Sequence, residues 1–218
     1  MYLEVYDEGG NFLKKVPAGT RKGVNMVRIP TMMDPPRVPK SPNILGEAVV
    51  GPDYPAGKYT VRLVKGTETY TTDLVINDSP DWNHPQADRK LQRETLMKAY
   101  SLLEELADVD QKVLDAISHL QSRADTQKGS ALKKTRSLIA ACEAMREQIS
   151  ATQAGEGGIT GQVRLRENIG EVYGAVAGYP GRPAELQIKA LENYAGQVSD
   201  FGKRIDELIR TNIPELMK

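Results

Sequence analysis

The sequence predicts an α+β protein in which an N-terminal antiparallel β-sandwich is followed by an antiparallel four-helix bundle. Three observations lead to this prediction. Short segments before residue 78 alternate apolar and polar side chains, as half-buried strands do. Residues 79–86 are rich in turn-forming residues, and the sequence after them repeats apolar side chains every three or four positions. We therefore predict a sandwich over residues 1–78, a linker over 79–86 and a helical bundle over 87–218.

Strand signals occur five times in the first segment. The predicted strands are residues 2–7, 12–16, 23–29, 58–64 and 69–76. Gly9 and Gly10 follow the first of them and tolerate the positive φ of a tight hairpin. A connection over residues 29–46 contains five prolines, which lack a backbone donor and disfavour regular pairing. Short strands at this spacing, with turn signals between them, predict a β-sandwich.

Four apolar stripes with helical spacing follow the linker. The predicted helices cover about residues 84–125, 130–151, 162–177 and 183–210. Pro85 lies in the first turn of the first helix, where proline is tolerated. Segments that are rich in glycine or contain proline separate the later stripes, as at Tyr179, Pro180 and Gly181. Because the connections are short, the stripes predict neighbouring antiparallel helices that share one core.

Composition narrows the classes of function. The chain has 29 basic and 29 acidic residues, and neither side of residue 78 has an excess of one sign. Nucleic-acid binding is therefore disfavoured, because such proteins concentrate basic charge on one domain. No apolar run approaches the roughly 18–20 residues of a bilayer span, so no membrane span is predicted. The first residues already alternate like a strand and lack a signal peptide, so we expect a fragment of a longer protein.

Candidates for metal or redox chemistry are few. His84 lies in the predicted linker, and His119 lies on the exposed flank of the first helix. A zinc site needs about three or four converging ligands, and Cys142 has no local spacing to both histidines. Cys142 falls on the apolar stripe of the second helix, where a thiol behaves as a small apolar group. We therefore predict no metal site and no cofactor.

Candidates for acid–base or nucleophilic catalysis are equally weak. Ser118 and His119 are adjacent on a helix and point to different faces, and no Gly-x-Ser-x-Gly elbow exists. The carboxylate pairs of the helices are also adjacent in sequence, so their side chains diverge instead of meeting across a cleft. These pairs are Glu104–Glu105 and Asp206–Glu207. The sequence therefore predicts no catalytic residue.

Two segments leave an alternative open. Residues 155–166 (GEGGITGQVRLR) could bind an anion at a helix start that carries Arg164 and Arg166. A phosphate loop needs a preceding strand and a Lys-Ser or Lys-Thr pair, so we prefer a flexible interhelical loop. Trp82 with Tyr54 and Tyr59 could form a sugar-stacking platform. We prefer an apolar plug between the two predicted domains, because Trp82 lies in their linker.

An ordered set of motifs resembles one bacterial group. LEVYDEGGNFLKKV, KGVNMVRI and PAGKYTVRLVKGTETYTTDLVI resemble the Ig-like module of the flagellar hook-capping type. The long helix after the last strand and the later GYPGRPAELQIKALENYAGQV are similar to a bundle that follows this module in secreted β-propeller proteins. Those proteins carry sortilin-like or Asp-box repeats and are often labelled glycosyl hydrolase-like. The resemblance covers most of the chain and implies an Ig-like sandwich followed by a bundle.

The resemblance also implies a role. In such proteins the propeller would hold any active site, and the C-terminal modules would be non-catalytic structural or interaction parts in the periplasm or outside the cell. The expected partner is the propeller of the parent chain or another protein, and a homodimer is one further expectation. Two alternatives stay open. One is a carbohydrate-binding or glycoside-hydrolase accessory module that uses Trp82, Tyr54 and the region of Arg164; the other is a dimerisation element.

Overall fold

The computed structural model describes residues 1–80, 83–153 and 161–217. It confirms the α+β class, because a four-stranded antiparallel sheet precedes four helices. The strands are β1 (Tyr2–Tyr6), β2 (Phe12–Pro17), β3 (Gly57–Lys65) and β4 (Glu68–Ile76). The helices are α1 (Gln86–Thr126), α2 (Gly129–Ile149), α3 (Leu165–Ala177) and α4 (Glu185–Asn212), followed by a short 3₁₀ helix, Pro214–Met217.

The chain forms two compact units. One comprises Met1–Pro35 and Val50–Asn83, and the other comprises Pro36–Val49 and His84–Lys218. This division differs from a single boundary near residue 78 in one segment, Pro36–Val49, which belongs with the helices. We call this segment the strap. Its prolines cannot donate to a ladder, so the strap carries no periodic signal that would have assigned it to either unit.

The strand unit is built on one sheet with the order β2-β1-β3-β4. Val5 on β1 lies opposite Val61 on β3, and the buried core on this face also includes Tyr54 and Tyr59. Ile29 packs against the core from the irregular part of the chain. One face of the sheet is therefore covered by loop segments of the same unit.

Residues 23–29 do not form the third strand that their alternation predicts. In the described part of the chain, the edges of the sheet are β2 and β4, and neither of them pairs with residues 23–29. The side-chain amide of Asn25 also donates to the carbonyls of Arg21 (2.9 Å) and Gly23 (3.1 Å), a local bond that competes with a ladder. The prediction of a strand there was wrong, because pairing depends on a partner that local alternation does not report.

The helical unit has one apolar core to which all four helices contribute. α1 is the longest helix, and its stripe lies against the other three. The fully buried apolar side chains include Leu103, Leu106, Val113, Leu120, Cys142, Ile149, Ile169, Leu191 and Ile205. Among the described residues, no helix combines the length and the apolar character that crossing a membrane requires.

Candidate functional site: the polar cluster under the strap

Two charged side chains are buried at the start of α3. Arg166 is 1% exposed and Glu167 is 0% exposed, although both side chains are ionisable. Burying a charge is costly unless it is paired and hydrogen-bonded. Their partners therefore decide what this cluster can do chemically.

Glu167 has its four acceptor positions occupied. Its Oε1 accepts a hydrogen bond from the Ser41 hydroxyl at 3.0 Å and from Arg166 Nη1 at 2.9 Å. Its Oε2 accepts from the backbone N–H of Ala151 at 3.4 Å and of Arg164 at 3.1 Å. An ionised carboxylate offers about four lone-pair sites, so no acceptor remains for a substrate proton.

The side chain of Arg166 holds the strap by contacts with the backbone of the strap. Besides its bond to Glu167, Nη1 lies 3.1 Å from the carbonyl oxygen of Asn43 and 2.9 Å from that of Leu45. The side-chain amide of Asn43 donates to the carbonyl of Gln162 at 3.1 Å, just ahead of α3. Carbonyl groups of the strap and the carboxylate of α3 are thus joined through one guanidinium, whose planar donors suit several acceptors at once.

A second attachment joins the strap to α1 and α2. Arg146 on α2 donates from Nη2 to the carbonyl of Lys40 at 3.2 Å, and the Ser150 hydroxyl donates to the same oxygen at 3.2 Å. The Nε of Arg146 lies 3.3 Å from a carboxylate oxygen of Asp110 on α1. Burial raises the pKa of Asp110, and the nearby Arg146 charge opposes that rise. The strap is therefore tied to three helices.

The start of the strap is held at the surface of α1. Arg37 Nε donates to Glu104 and Nη1 donates to Asp108, both at 2.7 Å, and the Arg37 backbone N–H also donates to Glu104. The hydrogen bonds that Arg37 donates to Asp108 and to Glu104, in that order of size, raise the pKa of Arg37. These groups are solvent-accessible, so the contact orients the chain more than it stabilises it.

Two glycines allow the strap to approach α3 closely. Gly46 has φ +76°, and a Cβ on it would lie 2.7 Å from the Cα of Glu167. A Cβ on Gly170 of α3 would lie 2.1 Å from the carbonyl oxygen of Gly46. Neither position has room for a side chain, so backbone lies directly against backbone here.

The structure gives several of the arginines and carboxylates of the sequence analysis structural partners. Arg166 binds the strap, and the backbone N–H of Arg164 binds Glu167 at the start of α3. Residues 154–160, which contain most of the candidate anion loop, lie outside the described residues. Glu104 holds Arg37, and Asp206 lies 2.7 Å from Lys112 on α1. Glu207 accepts hydrogen bonds from Arg210 and Thr211 on its own helix.

The two histidines and the cysteine make separate contacts. The ring of His84 packs edge-on against Tyr179 with centroids 5.2 Å apart, whereas His119 Nε2 lies 2.8 Å from Glu215. Cys142 is fully buried on the apolar face of α2, as its stripe predicts, and burial raises the pKa of its thiol. In the described ranges, no three His, Cys, Asp or Glu side chains are placed to hold one metal ion.

The sugar-stacking interpretation does not hold for the two tyrosines. Tyr54 is 8% exposed and Tyr59 is 6% exposed, and their rings pack on each other with centroids 5.9 Å apart. Buried rings present no face to a sugar, so these two side chains are core residues. Trp82, the third member of the suggested platform, lies outside the described residues.

Among the described residues, two of the surface cavities are small. One of about 210 Å³ lies in the strand unit, between residues 7–9 and residues 55–59. The other, of about 150 Å³, lies in the helical unit and is lined in part by Arg123, Lys134 and Thr135. Ligand pockets for drug-sized molecules usually measure roughly 300–1,000 Å³. Neither cavity is large enough to indicate an active-site cleft.

Sequence reasoning missed the polar cluster and the strap. The missed residues are Arg37, Lys40, Ser41, Asn43, Asp110, Arg146 and Glu167. One signal was available, since Arg166 and Gly170 share the face of α3 on which Ile169 and Tyr173 are buried. A charged residue and a glycine beside an apolar stripe predict a close, polar contact. The partner of that contact, more than 100 residues away, could not be read from the stripe.

Comparison with known proteins adds no assignment. A scan of family models finds no match for the chain, and searches of curated proteins and of solved structures find none either.

Proposed function

We propose that this chain is a non-catalytic interaction module, the C-terminal part of a larger secreted β-propeller protein that docks on the propeller or on another protein. The observation that supports the proposal most is the saturated carboxylate of Glu167. A catalytic acid or base must reach a substrate atom within hydrogen-bond distance and must have a free site for it. Glu167 has neither, since it is fully buried and accepts from four donors.

The other buried ionisable groups of the helical unit support the same proposal. Asp110 is 2% exposed and faces Arg146, which in turn binds the backbone of the strap. A pKa that burial shifts is often a sign of a functional group, but here the group lies in a contact between two helices. These side chains stabilise an assembly of strap and helices, which suits a part that supports other domains.

The proposal includes the finer architecture: an Ig-like sandwich for the strand unit and an antiparallel four-helix bundle for the helical unit. A sheet must bury one face against a second layer. Tyr54 and Ile29, which lie in irregular segments, pack on the sheet core and are compatible with such a layer. A small sandwich of under 80 residues has a marginal core, so docking on a partner would stabilise it.

The first experiment separates this proposal from the carbohydrate alternative. The purified chain is applied to a glycan array and incubated with a panel of aryl glycosides. We expect neither binding nor turnover above a buffer control. Binding or turnover that disappears in Trp82→Ala, with the fold intact by circular dichroism, would overturn the proposal in favour of a carbohydrate-binding or hydrolytic module.

The second experiment tests the parent protein. Sequencing the reading frame upstream of the Met1 codon is expected to show an in-frame β-propeller with Asp-box repeats. That propeller, produced separately, is expected to bind this chain in isothermal titration calorimetry. A stop codon directly upstream of a native start at Met1 would remove the propeller from the proposal.

A further inference from the structure

Residues 23–29 have apolar side chains on both of their sides. Val27 is half-buried and Ile29 packs against the core of the strand unit. On the outer side, Val24 is 99% exposed and Met26 is 98% exposed. An extended segment that is apolar on both sides is typical of a strand covered on both faces. The outer side of residues 23–29 therefore lacks the cover that its sequence suits.

The backbone of this region is also open to a partner. In the described part of the chain, no hydrogen bond joins the backbone of residues 19–28 to another backbone group. Covered backbone N–H and C=O groups need hydrogen-bond partners. A lipid interior would leave them without partners, whereas the edge of a β-sheet would supply both donors and acceptors. The covering surface that fits is a strand edge of a protein.

The charge around the segment is basic. Arg21, Lys22 and Arg28 are exposed, and no carboxylate occurs in the sequence between Glu8 and Asp34. Opposite charges on neighbouring strands favour pairing, and like charges oppose it. The strand edge that fits this segment therefore carries carboxylates.

The same chain carries an edge of that kind. β4 is the last strand in the order β2-β1-β3-β4, so among the described residues it has a ladder partner on one side only. Its charged side chains, Glu68 and Asp73, are both acidic. Its exposed apolar side chains include Tyr70 and Val75, which are 56% and 55% exposed. Long exposed edges of this type are templates for strand addition.

We propose that residues 23–29 of one copy add as a strand to the β4 edge of a second copy. The inference rests on the proposed function as an interaction module and names one partner, the chain itself. Each copy then offers one basic segment and one acidic edge, so two copies satisfy each other reciprocally. The apolar residues Val24 and Met26 become covered in the contact, and their backbone becomes paired.

The first test measures self-association by sedimentation equilibrium over a concentration series up to high micromolar. For the unaltered chain we expect an average mass that rises from 24.0 kDa toward twice that value. The variant Val24→Asp/Met26→Asp is expected to self-associate with a dissociation constant at least about tenfold higher than that of the unaltered chain. The reason is that it replaces two apolar side chains that the contact buries by carboxylates. Both residues are fully exposed in the single copy, so the two substitutions should leave the thermal unfolding of the single copy unchanged.

A matched comparison adds one carboxylate at each of two surfaces. Met26 is 98% exposed and Leu186 on α4 is 78% exposed, so Met26→Asp and Leu186→Asp each replace one exposed apolar side chain by a carboxylate. Met26→Asp is expected to weaken the association, and Leu186→Asp is expected to leave it unchanged. Equal weakening by the two variants would overturn the proposal, since net charge alone would then explain the effect.

The second test uses charge reversal in two separate chains. One chain carries Arg21→Glu/Lys22→Glu/Arg28→Glu, and the other carries Glu68→Lys/Asp73→Lys. Each alone is expected to stay monomeric, because its segment and its edge now have the same sign. Mixed in equal amounts, they are expected to associate, because each segment meets an edge of opposite sign in the other chain.

The outcomes separate this inference from the proposed function. The self-pairing is overturned if the unaltered chain stays monomeric at high micromolar concentration. It is also overturned if the charge-reversed mixture fails to associate. Binding of a monomer to vesicles of anionic phosphatidylglycerol that is lost in Val24→Asp/Met26→Asp also overturns it, in favour of a lipid surface. None of these results changes the glycan and propeller experiments, which test the interaction module itself.

Discussion

The buried Asp110 on α1 and the partly exposed Arg146 on α2 face each other at 3.3 Å in the helical unit. The same arginine binds the carbonyl of Lys40, so one guanidinium joins two helices and the strap. Such a contact is expensive to break, because removal of one partner leaves a buried charge without compensation. The pair therefore gives the helical unit a pH dependence that can be measured.

Replacement of Asp110 by Asn should remove one part of that pH dependence. Burial raises the pKa of Asp110 above its ordinary value of 3.8, so the folded state binds its proton more readily than the unfolded state. The free energy of unfolding then falls as pH rises from 3.8 through the raised pKa. Urea unfolding from about pH 3 to 7 should show the unaltered chain losing stability relative to Asp110→Asn as pH rises. A stability difference that stays constant across this range would contradict the account.

Removal of Arg166 should destabilise the helical unit strongly. Arg166→Ala leaves the carboxylate of Glu167 buried without its cation, which costs about 3–5 kcal/mol in comparable pairs. The double variant Arg166→Met/Glu167→Gln should cost less than the sum of its single changes, as a double-mutant cycle by urea unfolding would show.

Arg182 provides the control for that measurement. Its side chain is 65% exposed and lies 3.4 Å from Asp88, so Arg182→Ala should cost less than about 1 kcal/mol. Similar losses for Arg166→Ala and Arg182→Ala would mean that the buried cluster contributes no more than a surface pair.

Two glycines of α3 should respond to alanine in opposite directions. Gly170→Ala would place a Cβ 2.1 Å from the carbonyl oxygen of Gly46, so the strap must shift, at a cost of about 1–3 kcal/mol. Gly174 has no neighbour within 4 Å of its added Cβ, so Gly174→Ala should stabilise the helix by roughly 0.5–1 kcal/mol. Thermal unfolding of the two variants measures both effects, and a stabilising Gly170→Ala would contradict the close approach.

The carboxyl of Glu215 should titrate below its ordinary pKa of 4.5. Its own backbone N–H and then the hydrogen bond with His119 lower the pKa, so its contribution to stability is present above pH 4.5 and is lost as pH falls through the lowered value. The carboxyl carbon can be followed by NMR. His119→Ala should raise the midpoint, whereas His84→Ala, which alters a contact with Tyr179, should leave it unchanged. A midpoint that does not respond to His119→Ala would contradict this contact.

Helix periodicity predicted the second half of the chain well, for a physical reason. A stripe such as Leu102, Leu106 and Val113 repeats over a 41-residue helix, so many positions report the same buried face. The coarse order, strands before helices, was confirmed. Within α3 the stripe was less complete, because Arg166 and Glu167 are buried beside it and pattern reasoning assigns such residues to the surface.

In the strand unit, the local alternation of apolar and polar residues does not by itself determine which segments pair. Residues 23–29 alternate like a strand, but a strand exists only where another backbone pairs with it. The strap could not be predicted for a related reason, because Ser41 and Asn43 make their contacts with residues more than 100 positions away. Such contacts leave no period in the sequence. The same limit hid the pairing of Arg37 with Glu104.

The buried polar groups fasten the strap to the helices, and amide hydrogen exchange is the measurement that tests this attachment. The backbone N–H groups of Arg37, Asn43 and Glu47 are hydrogen-bonded within the helical unit. In the unaltered chain their exchange should be slowed far below the rate of an unstructured peptide, and Gly170→Ala should return it toward that rate while the core of α1 stays protected. Exchange of these three amides at the unstructured rate in the unaltered chain would contradict the claim.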